Sequence, residues 1–301
     1  MTRYVYVLIS HDNGSYAAMC LISALSVRGV DAGAQITVLS DGPTLAMLKR
    51  HNHQLLEVAD EVRDCSVGES PVHTSRILKT TLLQRLQSDF IFLDVDTVVV
   101  RPIAPKLMEP YSLQMTLDRS PQYPKPCFPD WIVPHYEQLG WEWPTARYYN
   151  SGVMLVRADE ASRQLFEEWH RRWQEFLALG LHYDQPALNS SIHQLKLTVG
   201  CLPVQYNAMV RVNEAFRWKA RVLHFFVEGN TTDHDTEYGR LINAVTSGRT
   251  LTSETVQKAV RRRWPLVEAD GVRRHLKIGS FRGAWLCCRK HSQAKKSHPM
   301  N

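Results

Sequence analysis

Two carboxylates stand where an apolar strand has no use for them. Residues 90–103 read FIFLDVDTVVVRPI, the composition of a buried strand broken by Asp94 and Asp96. Side chains at i and i+2 of a strand share a face, so the pair would lie side by side. Like charges at that spacing repel, and burying either without a partner is costly. A divalent cation neutralises such a pair most simply, and Mg²⁺ or Mn²⁺ held by one or two carboxylates commonly completes its shell with phosphate oxygens. The pair therefore points to a phosphate-bearing ligand. A bland alternative has one Asp capping the following segment and the other pairing with Arg101.

The elements around the pair read as α/β. YVYVLIS (4–10) has strand character, GSYAAMCLISALSVRG (14–29) that of a helix, QITVLSDG (35–42) a strand, TLAMLKRHN a helix, and EVADEV a weak strand. SRILKTTLLQRL (75–86) sets Leu78, Leu82 and Leu86 on one helical stripe just before FIFL. Strands alternating with helices imply a mostly parallel central sheet flanked by helices, with strands apolar on both faces. Ligands of such sheets bind outside the carboxyl ends of the strands, where Asp94 and Asp96 fall. Further on, RSPQYPKPCFPDWIVPHYEQLGWEWP (119–144) carries six prolines and predicts an irregular excursion or substrate loop. YYNSGVMLVRA (148–158) predicts a strand. ASRQLFEEWHRRWQEFLAL (161–179) predicts a helix with Leu165, Trp169, Trp173 and Phe176 or Leu177 on one face, and RVLHFF (221–226) a last strand.

A chain of 301 residues, 44% hydrophobic, has ample material for a large core. The opening MTRYVYVLISHDNG lacks the pattern of a secretory leader, and no run reaches the roughly 20 apolar residues of a membrane span. Six cysteines without paired spacing suit reduced thiols, and the expected location is the cytoplasm. Charge is uneven. Residues 256–301 hold 12 Lys and Arg against Glu268 and Asp270, a net +10, which leaves −4 of the chain's +6 on the first 255 residues. That divides the chain into a domain over 1–245 and a basic extension over 246–301. The extension suits an anionic membrane surface, peripherally at the inner face, better than nucleic acid; a merely solvated tail is the alternative.

DVDTV formally matches the nucleophile motif of haloacid-dehalogenase-type phosphatases, but that motif normally ends the first strand of its domain, and three strand candidates precede it here. The order of motifs over roughly residues 4 to 230 instead resembles glycosyltransferase family 8, of the Rossmann-like GT-A fold, close in layout to bacterial lipooligosaccharide galactosyltransferases and glycogenin. SHDNGSYAAMCLISALSV resembles the family's opening strand, loop and helix; by that resemblance Asp12, Asn13 and Tyr16 hold uracil and ribose. Read without it, Asp12 and Asn13 are good helix N-caps. SRILK resembles the family's basic donor contact, with Arg76 first and Lys79 second. YYNSGVMLV resembles the motif near the sugar, giving Asn150 and Ser151 to the donor. HYDQPALN resembles the segment in which Asp184 holds sugar hydroxyls and Gln185 lies beside the anomeric carbon. QYNAM gives a structural Asn207. RVLHFF makes His224 the third metal ligand beside Asp94 and Asp96, with Asp94 also reaching the ribose.

The resemblance implies a metal-dependent retaining transferase moving a hexose from UDP-glucose or UDP-galactose to a saccharide or glycolipid acceptor, with Mn²⁺ or Mg²⁺ as cofactor. One departure stands out: the family follows its His with Gly and then Lys-Pro-Trp, the Lys reaching the diphosphate, whereas HFFVEGNTTDHD has no such Lys. A nucleotide-sugar-binding subunit without turnover is therefore the other reading, beside the phosphatase.

Overall fold

The computed structural model describes residues 1–12, 14–67, 69–103, 110–118, 130–142, 147–210, 217–226 and 236–261, with Leu276, Phe281 and Trp285. The first half alternates as the sequence predicts: β1 (Arg3–Val7), α1 (Ser15–Val30), β2 (Gln35–Ser40), α2 (Gly42–Arg50), α3 (Leu55–Val58), β3 (Glu61–Asp64), α4 (Pro71–Thr80), α5 (Leu82–Arg85) and β4 (Phe90–Leu93). The four strands lie parallel in the spatial order β3-β2-β1-β4. All of β4 and most of β1 and β2 are buried, which is why their sequences run apolar without alternation. The helix expected over 75–86 divides at Thr81, whose φ of −113° leaves the helical region.

After β4 the chain turns at residues 95 and 96 and starts a second sheet with β5 (Thr97–Val99). It then returns to the large sheet through β6 (Leu113–Leu117), α6 (Val133–Leu139), β7 (Tyr149–Val156), α7 (Glu160–Ala178), α8 (Gln185–Gln194) and β8 (Gly200–Leu202). β7 lies antiparallel between β4 and β6, and β8 joins β6 in parallel. β9 (Ala208–Met209) and β10 (Val222–His224) complete the small sheet, in the order β5-β10-β9. α9 (Glu237–Thr246) and α10 (Ser253–Arg261) close the fold.

One core lies between α1, α9, α10 and the two sheets; the other, on the opposite face of the large sheet, holds Trp169, Trp173 and Phe176 of α7 as expected. Two points correct the sequence reading. Within the proline-rich segment, α6 is core structure: Tyr136 is fully buried and its hydroxyl donates to Pro186 O at 2.5 Å. Residues 119–129 and 143–146 lie outside the described ones. The folded unit also passes residue 245. Val256, Ala259 and Val260 of α10 are buried, and Gln257 Nε2 donates to Ser26 O and Val99 O. Most of the basic extension beyond Arg261 lies outside the described residues.

Candidate active site

Because β7 runs against β4, its first residues arrive at the end of the sheet where β4 finishes. Asp94 N donates to Gly152 O at 2.8 Å, which sets Asn150, Ser151 and Gly152 directly beside Asp94. The turn after β4 is closed by Thr97, whose N and Oγ1 both donate to Asp94 O. It is anchored on α1, where Ser23 Oγ meets Thr97 Oγ1 at 3.1 Å and Ser26 Oγ accepts from Val99 N. In the small sheet His224 is the register partner of Thr97, and Phe225 N donates to Asp96 O. A residue 128 positions downstream thus lands against the carboxylate pair. Ligand atoms of Asp94, Asp96 and His224 lie within 4.8 Å of one another.

His224 is 3% exposed and its orientation is fixed. Its Nδ1 lies 2.9 Å from Asn207 Oδ1, while Asn207 Nδ2 donates to Asn150 Oδ1. Asn207 has therefore committed its amine elsewhere, so its oxygen accepts and the proton sits on Nδ1. Nε2 faces Asp96 Oδ1 at 3.4 Å. Burial alone draws the His224 pKa down, but Asp96 and then Asp94 outweigh it and hold the value above that of an ordinary histidine. Phe226 stacks on the imidazole at 4.2 Å from a left-handed backbone position (φ 49°).

A cation occupies the other side of the pair. Lys79 Nζ, on the last turn of α4, donates to Asp94 Oδ1 at 2.9 Å and to Ser151 Oγ, and lies 3.5 Å from Asp184 Oδ2. It is 3% exposed. Arg76 Nε, one helical turn earlier, is 3.2 Å from Asp184 Oδ1. Burial pushes the Asp184 carboxyl up, but Lys79 and Arg76 outweigh it and hold the pKa below the usual carboxylate range. Asp184 caps α8 by position only. Its side chain makes no cap and turns to the two cations, while Trp169 Nε1 holds its carbonyl. Gln185 Oε1 accepts from Ser151 N at 3.1 Å.

Asp94, Asp96, Arg76, Ser151, Asp184, Gln185 and His224 therefore come together. Asn150 does so differently from expectation: it is 3% exposed, its Oδ1 accepts from Gly152 N and Asn207, and its Nδ2 donates to Asp118. In this arrangement its amide positions Gly152, Asn207 and Asp118. Asp12, in the β1–α1 connection, and Tyr16, in the first turn of α1, share this end of the sheet, exposed, and neither bonds to the cluster among the described residues. Asp12 is not the α1 cap, since Gly14 holds that position; Asn13 lies outside the described residues. Arg101 does not pair with either Asp, for its Nη2 donates to Trp218 O across the small sheet. Lys79 meets both Asp94 and Asp184, whereas Arg76 meets Asp184.

The donor set of two carboxylates and an imidazole fits Mn²⁺ or Mg²⁺. Gly152 shows how closely the groups are drawn in: a Cβ there would stand 2.3 Å from His224 Cε1 and 2.9 Å from Asp94 Oδ2. Residues 22–236 match the family described as nucleotide-diphospho-sugar transferase. The chain belongs to that family. This transferase shares its fold with a galactosyltransferase, LgtC, solved with donor and acceptor sugar analogs (TM-score 0.55, 16% identity, 86% of this chain and 100% of that one). It is also similar to the bifunctional glycosyltransferase WbbM (0.53, 16%, 85% and 51%) and to glycosyltransferase GlyE of Streptococcus pneumoniae TIGR4 (0.52, 14%, 85% and 62%). No curated protein sequence matches significantly. The fold is GT-A, the enzyme is a glycosyltransferase, and the phosphatase reading falls.

Proposed function

We propose that the transferase moves a hexose, with retention, from UDP-glucose or UDP-galactose to a saccharide or glycolipid acceptor in a reaction dependent on Mn²⁺ or Mg²⁺. The observation that carries this is the convergence of Asp94, Asp96 and the oriented Nε2 of His224 at the carboxyl ends of parallel strands. When bound, the divalent ion supplies Lewis-acid stabilisation of the departing diphosphate. Asp94 and Asp96 hold it with His224, and Asp94 also reaches the ribose; Asp12, Asn13 and Tyr16 receive the uridine. Lys79 and Arg76 keep Asp184 ionised, so its carboxylate accepts hydrogen bonds from sugar hydroxyls. As the bond from the anomeric carbon to the diphosphate oxygen breaks, its electrons leave with UDP. The acceptor hydroxyl attacks from the same face and its proton passes to the departing oxygen. The amide of Gln185 steadies the cationic anomeric carbon from the opposite side.

The acceptor approaches beside Asp184. There Tyr183 and Trp131 are 57% and 46% exposed with ring centroids 5.0 Å apart. A lipid-linked acceptor suits peripheral attachment at the cytoplasmic face of a membrane through the basic extension. No helix among the described residues is long and apolar enough to cross one.

The test is a thermal-shift screen of UDP- and GDP-sugars with and without Mn²⁺, followed by an assay of UDP release. A donor that binds only the folded state raises the melting temperature by mass action. We expect metal-dependent shifts with uridine donors, metal-dependent UDP release, and loss of release in a folded Asp96→Asn variant. Binding with no UDP release would establish the silent-subunit reading, and full activity of Asp96→Asn would overturn the metal assignment.

A further inference from the structure

We propose that a groove at the far end of the small sheet, lined by three arginines, is a headgroup site for anionic phospholipid. It rests on the reading of the acceptor as lipid-linked for its purpose, but not for its existence. The cavity has a volume of about 350 Å³, and among the described residues that line it none is acidic. Its floor is apolar, with Leu223 of β10 and Val260 of α10, and Arg101, Arg217 and Arg261 stand around it. Trp218, on the rim, is 54% exposed.

The groove is built. Arg217 is 9% exposed, donates from Nη2 to Val260 O at 3.1 Å, and has its guanidinium 4.9 Å from the Trp218 ring. Arg101 Nη2 donates to Trp218 O, tying the end of β5 to the same rim. Arg101 and Arg261 are exposed and line the groove. Planar guanidinium forks match phosphate oxygens. A half-exposed Trp beside them, over an apolar floor, suits the boundary between headgroup and acyl chain. A free phosphate would account for the arginines but not for the floor and the Trp.

Two placements favour a lipid surface. α10 ends at Arg261 in this groove, and Arg262 and Arg263 begin the strongly basic extension. The extension carries the same sign of charge as the groove, which opposes its folding back as occupant except through Glu268 and Asp270. On the other side, β5 leads from Asp96 to Arg101 in five residues, about 16 Å at strand rise. A membrane-seated groove therefore holds the metal ligands within reach of a glycolipid headgroup.

The full-length chain, wild type and Arg101→Glu, Trp218→Ala and the double variant, is partitioned between buffer and vesicles of phosphatidylcholine with or without phosphatidylglycerol. We expect binding to the anionic vesicles only, weakened roughly tenfold by Arg101→Glu and further in the double variant. Acceptor-free UDP release should be unchanged, so a failure of catalysis is read separately from a failure of binding. Equal vesicle binding by wild type and double variant overturns the proposal, leaving attachment to the extension alone. Tighter binding by the variants also overturns it, since the chain's own acidic residues would then fill the groove. A third contrary result is wild-type vesicle binding abolished by millimolar inorganic phosphate at constant ionic strength, which would mark a site for the free ion.

Discussion

His224 Nδ1 and Asn207 Oδ1 face each other at 2.9 Å, and this single contact decides which imidazole nitrogen meets the carboxylates. Asn207 can serve only because its amine is held by Asn150, which is in turn held by Asp118. A short chain of amides thus converts a lone histidine at the end of a strand into an oriented metal ligand. Asn207→Leu removes the acceptor and leaves the tautomer unfixed. Loss of such an outer partner typically weakens metal binding 10- to 100-fold. The Mn²⁺ concentration for half-maximal UDP release should rise by about that factor while saturating activity is partly retained. An unchanged Mn²⁺ requirement would deny Asn207 its orienting role.

Gly152→Ala tests the cradle from the other side. The added Cβ would stand 2.3 Å from His224 Cε1 and 2.8 Å from its Nδ1, distances no neighbour can accept without moving. His224 is buried and packed under Phe226, so the imidazole must shift away from Asp94. We expect loss of metal-stimulated thermal stabilisation with a circular dichroism spectrum like that of wild type.

The residues of the site differ in how openly the sequence declares them. Asp94, Asp96 and His224 are legible because a carboxylate pair and a histidine interrupt strands that are otherwise apolar. The motif order then joins them across the chain. Lys79, named only second to Arg76, is less so, because beside Leu78 in SRILKTTLLQRL it resembles any solvated helix lysine. Only the end of α4 behind Asp94 buries it. Nothing in NSG reveals that β7 runs antiparallel and that the Asn150 amide bonds inward to Asp118 and Asn207. β8 and β9, three and two residues long, are shorter than the window in which periodicity is readable. The domain boundary at 245 follows charge, whereas α10 is held by Val256 and Val260, whose apolar spacing is submerged among basic neighbours.

Lys79→Met should show how far the two acids depend on one ammonium. Asp184 has a folded pKa below its ordinary value, so its stabilising contribution is present above the ordinary carboxylate range. It is lost as pH falls through the lowered folded value. Removing Lys79 takes the ammonium from Asp94 and leaves Asp184 paired with Arg76 among the described residues, and breaking a buried pair commonly costs about 3–5 kcal/mol. In metal-free buffer the variant should be strongly destabilised at pH 8 and less so at pH 3, below the ordinary carboxylate value, where the wild type too is losing the Asp184 contribution. Urea midpoints at the two pH values measure this, and a penalty independent of pH would show that Lys79 acts through packing alone.

Trp131→Ala addresses the acceptor side. Trp131 is exposed and lies beside Tyr183 with the rings tilted, so its removal leaves the core intact. A lost aromatic contact of about 1.4 kcal/mol raises the acceptor KM roughly tenfold. The donor KM and acceptor-free UDP release should not change. If the donor KM rises instead, the aromatic pair belongs to the nucleotide side.

His53 gives the fold a pH dependence separate from catalysis. It lies 6% exposed between α2 and α3, where its Nδ1 accepts from Leu55 N and its Nε2 is buried without a partner among the described residues. Burial first, and His51 second, pull its pKa from 6.5 down to about 4. The unfolded chain therefore binds a proton near pH 6.5 that the folded protein refuses until about pH 4. Stability is fully present above the unfolded value and declines as pH falls across that window, by a ceiling of about 3 kcal/mol. His53→Asn keeps a hydrogen-bond acceptor near Leu55 and removes the titration. Its melting temperature should lie below that of wild type at pH 7.5 and approach or overtake it by pH 4. Melting curves that fall in parallel from pH 7.5 to pH 4 would show that His53 gains its proton as readily folded as unfolded.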